Sequence, residues 1–313
     1  MHILLPNSIE LTLPHDVTHT YTTYDVTAPF TSAHASAEVL VAWGNTPANL
    51  RSAVMELPHL RLVQTLAAGP DAVLAAGFAA KVAICSGRSL HDGPVAEHAL
   101  ALILQLLRNQ AGLLEAQRRH VWDEVMVRAQ AAPATRGLYT LNEATVVILG
   151  YGSIARRLTP LLQGLGATVI GVATSAGERY GHPVIAMADV AQVVPQADVV
   201  LSILPATAAT EKIVNQAFFT HMKKTAIFVN VGRGKTVDEI ALAAALRNSV
   251  IRAAAIDVTA IEPLPAESPL WDCPNLIITP HVAGNRPLGA SALVQAQIQA
   301  LQTGSALRNA VQR

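Results

Sequence analysis

The sequence has few cysteines and no long uninterrupted apolar stretch. Its two cysteines, Cys85 and Cys273, lack a CxxC spacing, which predicts reduced thiols in a reducing compartment, with a single long-range disulfide as the alternative. The apolar segment from Val95 to Leu107 is interrupted by polar residues and is shorter than the ~18 apolar residues that a membrane span requires. The N-terminus lacks the basic region of a signal peptide. We therefore expect a cytoplasmic protein with no membrane partner.

The chain also has little charge and no charge imbalance. Its 22 basic residues balance 22 acidic ones, so no overall field attracts nucleic acid or anionic lipid. Apolar residues make up 51% of the chain and charged residues 14%, a composition typical of a globular protein and not of a disordered one. No group of histidines, cysteines or acids has the spacing of metal ligands. We expect neither a nucleic-acid partner nor a metal site.

The length of 313 residues predicts two domains, because single cores tend to split beyond ~250–300 residues. Short apolar runs alternate with helical or Pro/Gly-containing segments over the first ~90 residues, the pattern of a small parallel α/β unit. A helix from Val95 to Leu114 is expected to follow, with Pro94 in its first turn. The last helical pattern, Ala290 to Leu301, is too short for a domain and is expected to pack on the first one.

A second α/β series occupies the middle of the chain. The predicted strands are Thr145–Leu149, Thr168–Val172, Val199–Leu204, Ala226–Asn230, Ala253–Ile256 and Leu276–Ile278. Alternation with helices predicts a doubly wound parallel sheet of the Rossmann type. The predicted fold is therefore α/β with a dinucleotide-binding domain, residues 94–285, inserted into a smaller flavodoxin-like substrate domain, residues 1–93 and 286–313.

A glycine fingerprint follows the first strand of this series: Gly150, Tyr151, Gly152, Ser153, Ile154 and Ala155. Gly150 allows a tight turn, Gly152 lets the backbone approach a pyrophosphate, and Ala155 permits close packing of helix on strand. The following helix N-terminus offers free N–H groups to phosphates. An ordinary glycine-rich turn is the alternative, and Pro160 should bend the helix.

The second strand of the series ends without an acid to bind a ribose 2′-hydroxyl. Residues 173–177 read Ala-Thr-Ser-Ala-Gly, so nothing there repels a 2′-phosphate. Thr174 and Ser175 could donate hydrogen bonds to such a phosphate, and Arg179 could supply charge or remain a solvated loop residue. NADP is therefore favoured over NAD.

Three side chains near predicted strand ends carry the expected chemistry. Arg233 lies between two glycines and can hold a substrate carboxylate through two parallel hydrogen bonds. His281 can carry and release a proton near neutral pH, and Glu262 would stabilise the imidazolium if it bonds to the other ring nitrogen. Each has a non-catalytic alternative: a surface arginine, a structural histidine and a solvated acid.

These motifs, in this order, resemble the D-isomer-specific 2-hydroxyacid dehydrogenases, particularly those that reduce glyoxylate or hydroxypyruvate. The match runs from about Leu62 to His281 and is densest over 222–234 and 256–281. The resemblance implies substrate binding by Arg233, tuning of the histidine by Glu262 and proton donation by His281. It also implies a homodimer formed through the cofactor domains, with residues 112–139 as a candidate arm.

Further site residues follow from the same resemblance. Asp257 would lie beside the nicotinamide amide. Ala68 and Gly69 belong to a loop like the family's substrate loop, in which Pro70 removes one N–H, and Trp43 could line the substrate entrance or simply be buried. The remaining expected cofactor contacts are Leu204, Pro205, Thr210, Val231 and Gly232.

The sequence therefore predicts an NAD(P)H-dependent reductase of a small 2-oxo acid. A catalytically silent dinucleotide sensor or protein-binding adaptor on the same fold is the alternative, because a fold alone does not establish activity.

Overall fold

The computed structural model describes residues 1–14 and 18–312. The chain divides into two compact units. The terminal unit comprises Met1–His91 and Arg286–Arg313, and the central unit comprises Asp92–Asn285. The central unit is thus inserted, in sequence, between the two segments of the terminal unit.

The terminal unit is a parallel sheet with helices on its two faces. Its strands are β1 His2–Pro6, β2 Thr20–Tyr24, β3 Val39–Ala42, β4 Leu62–Thr65 and β5 Ala83–Cys85, and its helices are α1 Pro47–Glu56, α2 Asp71–Ala75 and α9 Ala290–Thr303. The strand order β2-β1-β3-β4-β5 is that of flavodoxin-like folds. Leu50 of α1 and Val73 of α2 pack in one apolar core, and Leu293 and Ile298 of α9 pack in another. The predicted fold of this unit is confirmed.

The central unit contains a larger sheet. Its strands are β6 Thr145–Leu149, β7 Thr168–Ala173, β8 Gly177–Arg179, β9 His182–Ala186, β10 Val199–Ser202, β11 Ile227–Asn230, β12 Ala253–Ile256 and β13 Leu276–Ile278. Its helices are α3 Asp92–Leu107, α4 Gln110–Arg118, α5 Glu124–Ala131, α6 Ser153–Gly164, α7 Gln216–His221 and α8 Glu239–Arg247. The strand order is β13-β12-β11-β10-β6-β7-β9-β8. All neighbours are parallel except the β8–β9 hairpin.

The sequence of the central strands explains this architecture. Strands β10, β11 and β12 are buried along their whole length, as expected of parallel strands covered on both faces. Helices α3 and α6 pack with one face of the sheet, and α7 and α8 with the other. The strand order reverses at β6, because β7 is added on one side of it and β10 on the other. Doubly wound sheets bind ligands at this position, between β6 and β10.

The structure corrects the predicted helix from Val95 to Leu114. Asn109 adopts a left-handed φ of 49°, so the chain forms two helices, α3 and α4, instead of one. Asparagine tolerates this conformation better than most residues do. Pro94 does lie in the first turn of α3, and α6 continues through Pro160 to Gly164. Across residues 1–14 and 18–312, no helix is both long and apolar enough to cross a membrane.

Candidate active site

The carboxyl ends of six strands bring the predicted site residues of the central unit to one edge of its sheet. Gly150 follows β6, Thr174 follows β7, Leu204 follows β10 and Arg233 follows β11. Asp257 follows β12, and His281 follows β13. Because parallel strands end at the same edge, residues far apart in the sequence share one region.

The glycine loop at this edge fits a dinucleotide diphosphate. Gly150 has a φ of 93°, and a Cβ on it would lie 2.9 Å from the Ile203 carbonyl oxygen. Gly152 has extended backbone where α6 begins, and a Cβ there would meet no atom within 4 Å. The open side of Gly152 and the free N–H groups of the first turn form a cradle of the kind that binds phosphate.

The side chain of Tyr151 points inwards and supports this loop from below. Its hydroxyl hydrogen-bonds with Thr159 Oγ1 at 2.8 Å, and its ring stacks on His182 with centroids 4.7 Å apart. Burial raises the pKa of the Tyr151 phenol. Only the main chain of Tyr151 is therefore available at the glycine loop, because its side chain is part of the core.

Ser153, the first residue of α6, is tied to the start of α3. Its hydroxyl donates to Asp92 Oδ1 at 3.0 Å. Asp92 belongs to none of the sequence motifs, and no local pattern indicates a bond between residues 61 positions apart. Ile154, next to Ser153, is partly buried against the core that α6 helps to form.

The region after β7 carries the residues expected to choose the cofactor. Arg179 Nη2 donates to Ser175 Oγ at 3.1 Å, so the β8–β9 hairpin brings this guanidinium back to the strand end. Thr174 precedes Ser175 in the same loop. Arg156 lies over the ring of Tyr180, 5.2 Å from its centroid, and is a second cation in this region that no sequence motif indicated.

His281 and Glu262 form a close pair. His281 Nδ1 lies 2.7 Å from Glu262 Oε2, and Glu262 Oε1 accepts a hydrogen bond from Thr259 N at 3.1 Å. A carboxylate only accepts, so Nδ1 carries the proton in this pair. The other ring nitrogen, Nε2, can then donate in the imidazolium and accept in the neutral ring.

Two close backbone approaches place Arg233. A Cβ on Gly232 would lie 2.6 Å from Leu204 N, and a Cβ on Gly234 would collide with the Thr259 carbonyl group. The two glycines thus let the Arg233 loop lie against the loops that follow β10 and β12. Arg233 Nη1 donates to the Gly232 carbonyl oxygen at 2.9 Å.

Asp257 is 1% exposed, and its carboxylate organises the turn that carries His281. Oδ1 accepts from Val282 N and Oδ2 from Ala283 N, both at 3.0 Å. Thr279 Oγ1 donates to Oδ1 at 2.5 Å. His281 itself has a left-handed φ of 52°. The conformation of the histidine's backbone is therefore fixed by a buried acid.

The remaining predicted cofactor contacts lie in two loops at the same edge. Thr210 Oγ1 donates to the Pro205 carbonyl oxygen at 2.6 Å and so closes the loop after β10. Leu204 and Val231 are buried in the two cores of the central unit. Their side chains support the loops, and their main chains lie at the strand ends.

The predicted substrate-binding residues Trp43, Ala68 and Gly69 belong to the terminal unit. Trp43 follows β3 and stacks on His91, with ring centroids 5.4 Å apart. Ala68 and Gly69 follow β4 in a loop anchored by a bond from Gly87 N to the Ala67 carbonyl oxygen at 2.7 Å. Pro70 directly precedes α2.

Within the residues described, no group of three or more His, Cys, Asp or Glu could hold a metal ion.

The doubly wound sheet with a glycine cradle at its edge defines a dinucleotide-binding α/β protein. The sequence pattern of the D-isomer specific 2-hydroxyacid dehydrogenase NAD binding domain matches residues 100–283. Glyoxylate/hydroxypyruvate reductase B of Citrobacter koseri is 33% identical over 290 residues, covering 89% of this chain and 86% of the relative. The chain belongs to the D-isomer specific 2-hydroxyacid dehydrogenase family, and it is an NAD(P)-dependent enzyme of that family.

Solved structures agree with this assignment. A family protein from Aeromonas salmonicida superposes with a TM-score of 0.83 at 28% identity, covering 99% of this chain and 98% of that one. A D-isomer specific 2-hydroxyacid dehydrogenase from Xanthobacter autotrophicus, in complex with NADPH and MES, gives a TM-score of 0.75 at 27% identity, with coverage of 89% and 84%.

Proposed function

We propose that this enzyme reduces a small 2-oxo acid to the D-2-hydroxy acid, with His281 as the proton donor. The observation that carries the proposal is the 2.7 Å pair of His281 Nδ1 and Glu262 Oε2, at the sheet edge that also carries Arg233 and the glycine cradle. This arrangement provides a proton donor, an anion-binding cation and a dinucleotide site together.

Each side chain has a separate task in this reaction. The guanidinium of Arg233 binds the substrate carboxylate through paired hydrogen bonds, which orients the neighbouring ketone. The nicotinamide, when bound, supplies the hydride that the ketone carbon accepts. His281 gives the proton on Nε2 to the ketone oxygen, which becomes the hydroxyl of the product. One hydride and one proton thus convert the ketone to an alcohol.

Glu262 orients the histidine. Its carboxylate holds the proton on Nδ1 and stabilises the imidazolium electrostatically, so Nε2 remains available to the substrate. Thr259 N fixes the second carboxylate oxygen at 3.1 Å. This anchoring limits the rotation of Glu262 and therefore of the imidazole that it holds.

The preferred cofactor under this proposal is NADP. Arg179, Ser175 and Thr174 surround the end of β7, and Ala173 stands where an acid would repel a 2′-phosphate. The NADPH complex of the Xanthobacter autotrophicus relative supports the same preference.

The name of the Citrobacter koseri relative supports glyoxylate and hydroxypyruvate as the first substrates to test.

A homodimer formed through the central unit is the proposed assembly. Trp122, Val125, Val127, Leu114 and Val121 are all exposed large apolar side chains within the predicted arm, residues 112–139. Trp122 is 84% exposed, and such an apolar surface is typical of a protein interface. Sedimentation of Trp122→Glu tests this, because a charge at the interface should produce monomers, whereas an unchanged mass would contradict the proposed interface.

Cytoplasmic residence, supported by two free thiols, is part of the same proposal.

Nicotinamide absorbance tests the activity directly. The purified chain is mixed with NADPH or NADH and with glyoxylate, hydroxypyruvate, pyruvate or a longer oxo acid. We expect oxidation of NADPH with at least one small 2-oxo acid. Cofactor binding without turnover of any of them would instead support the silent sensor or adaptor.

A further inference from the structure

His98, on α3, reaches the buried acid behind the His281 turn. Its Nε2 lies 3.1 Å from Thr279 Oγ1 and 3.4 Å from Asp257 Oδ1. His98 belongs to none of the motifs that indicated the active site. The contact links residues 181 positions apart.

The chemistry of these groups gives the hydrogen bonds one direction. The Asp257 carboxylate also accepts from two backbone N–H groups, so it is an acceptor for the Thr279 hydroxyl as well. Thr279 has one hydroxyl proton, which it donates to Asp257 at 2.5 Å. Its oxygen can therefore only accept from His98, and His98 must carry its proton on Nε2.

This chain of bonds ends at the main chain of the catalytic turn. His281 N donates to the Asp257 carbonyl oxygen at 2.8 Å, while the Asp257 carboxylate binds the two residues after His281. If His98 is lost, the part-buried Thr279 Oγ1 loses its donor, and leaving a polar group unpaired at such a site is costly. Thr279 and Asp257 can then adopt other arrangements, which frees the turn.

We propose that His98 is a positioning residue for His281, acting through Thr279 and Asp257. This inference rests on the proposed role of His281 as the proton donor. His98 would touch neither substrate nor cofactor; it would hold the hydrogen-bonded turn on which the imidazole is mounted. It would therefore affect the rate of the reduction more than the binding of either reactant.

The test is a set of single variants of the full-length enzyme, each with a matched control. His98→Leu and Thr279→Val should lower kcat by about 10–100-fold, because small misplacements of a catalytic group have effects of this size. KM for the oxo acid and the dissociation constant of NADPH should change less than kcat does. His221→Leu and Thr220→Val, at exposed positions on α7, should leave kcat unchanged.

Conservative variants separate positioning from simple packing. His98→Gln places an amide donor where Nε2 lies, and Thr279→Ser keeps the hydroxyl, so both should recover most of the lost rate. Wild-type kcat in His98→Leu would overturn the inference. Equal losses in His98→Leu and His98→Gln would also overturn it, since packing alone would then explain the effect. If His98→Leu does not fold, Thr279→Val against Thr279→Ser decides in the same way.

His281→Ala distinguishes a failure of this inference from a failure of the proposed function. If His281→Ala abolishes turnover while His98→Leu does not change it, only the positioning role is wrong. If His281→Ala itself retains the wild-type rate, the proposed mechanism is wrong, and the positioning role falls with it.

Discussion

His281 Nδ1 and Glu262 Oε2 lie 2.7 Å apart, although their side chains remain 46% and 38% exposed. A pair this close but open to solvent is held by its surroundings more than by burial. The buried Asp257 fixes the backbone of the histidine, and Thr259 N fixes the acid. The imidazole is thus oriented from two sides while it stays accessible to a substrate.

Removing the imidazole should therefore affect the reduction more than removing the charge behind it. His281→Ala should lower kcat by roughly 10²–10⁴-fold, the usual contribution of general acid catalysis. Glu262→Gln should lower kcat by a smaller factor, because an amide keeps the contact but loses the charge. Steady-state kinetics and NADPH fluorescence titration check both variants; a larger loss in Glu262→Gln would contradict this ranking.

Arg233→Lys should weaken substrate binding more than turnover. Lysine keeps the positive charge but lacks the planar fork that binds a carboxylate through two bonds. Hydrogen bonds to charged groups contribute ~1.5–3 kcal/mol, so KM for the oxo acid should rise roughly tenfold or more. A wild-type KM in this variant would show that Arg233 does not hold the carboxylate.

Arg179→Ala should change which cofactor is used. The guanidinium is held by Ser175 Oγ at 3.1 Å, beside the position expected for a 2′-phosphate. The KM for NADPH should rise roughly tenfold, because a charge-assisted bond is lost, and the KM for NADH should not change. Glu178→Gln, an exposed neighbour on β8, is the control. Equal effects on NADPH and NADH would place Arg179 outside the phosphate site.

Both thiols should react slowly in the folded enzyme. Burial raises the pKa of Cys85 and of Cys273, so little of either thiol is thiolate at neutral pH. A thiol reagent such as DTNB should modify them at the rate of unfolding. Above the ordinary thiol pKa of ~8.5, the unfolded chain releases thiol protons that the folded protein keeps. The free energy of unfolding is therefore undiminished below that pH and falls as the pH rises above it. Rapid modification at neutral pH would contradict the prediction.

The strands of the central sheet, and the edge at which they end, could be predicted because the sequence patterns that indicate them are local. Strands such as Thr145–Leu149 are short apolar runs, and parallel strands in a doubly wound sheet end at one edge. Arg233, Glu262 and His281 follow strands of that sheet, so chain order predicts that they lie at one edge, whereas the roles that join them were implied by the family resemblance.

Contacts between distant polar side chains could not be predicted in this way. The bonds of Ser153 with Asp92 and of His98 with Thr279 join α3 to residues far along the chain, and no residue spacing encodes them. The break between helices α3 and α4 at Asn109 could not be predicted for a related reason. The apolar pattern continues on either side of Asn109, while the φ angle of this one residue changes sign. The β8–β9 hairpin has short strands, of which β8 is exposed and β9 has one buried residue, and it gives little apolar periodicity.

Gly171 provides the last test, because it lies directly against Tyr151. A Cβ on Gly171 would be 2.5 Å from Tyr151 Cδ2 and 2.8 Å from Val184 Cγ1, so Gly171→Ala must displace the ring under the glycine loop. Overpacking of this kind usually lowers the free energy of unfolding by about 1–3 kcal/mol, and the displaced loop should also bind NADPH more weakly. Urea unfolding and fluorescence titration measure the two effects. Gly164→Ala is the control, since its Cβ would meet no atom within 4 Å and alanine favours the helix; Gly171→Ala with wild-type stability and affinity would show that the ring does not support the loop.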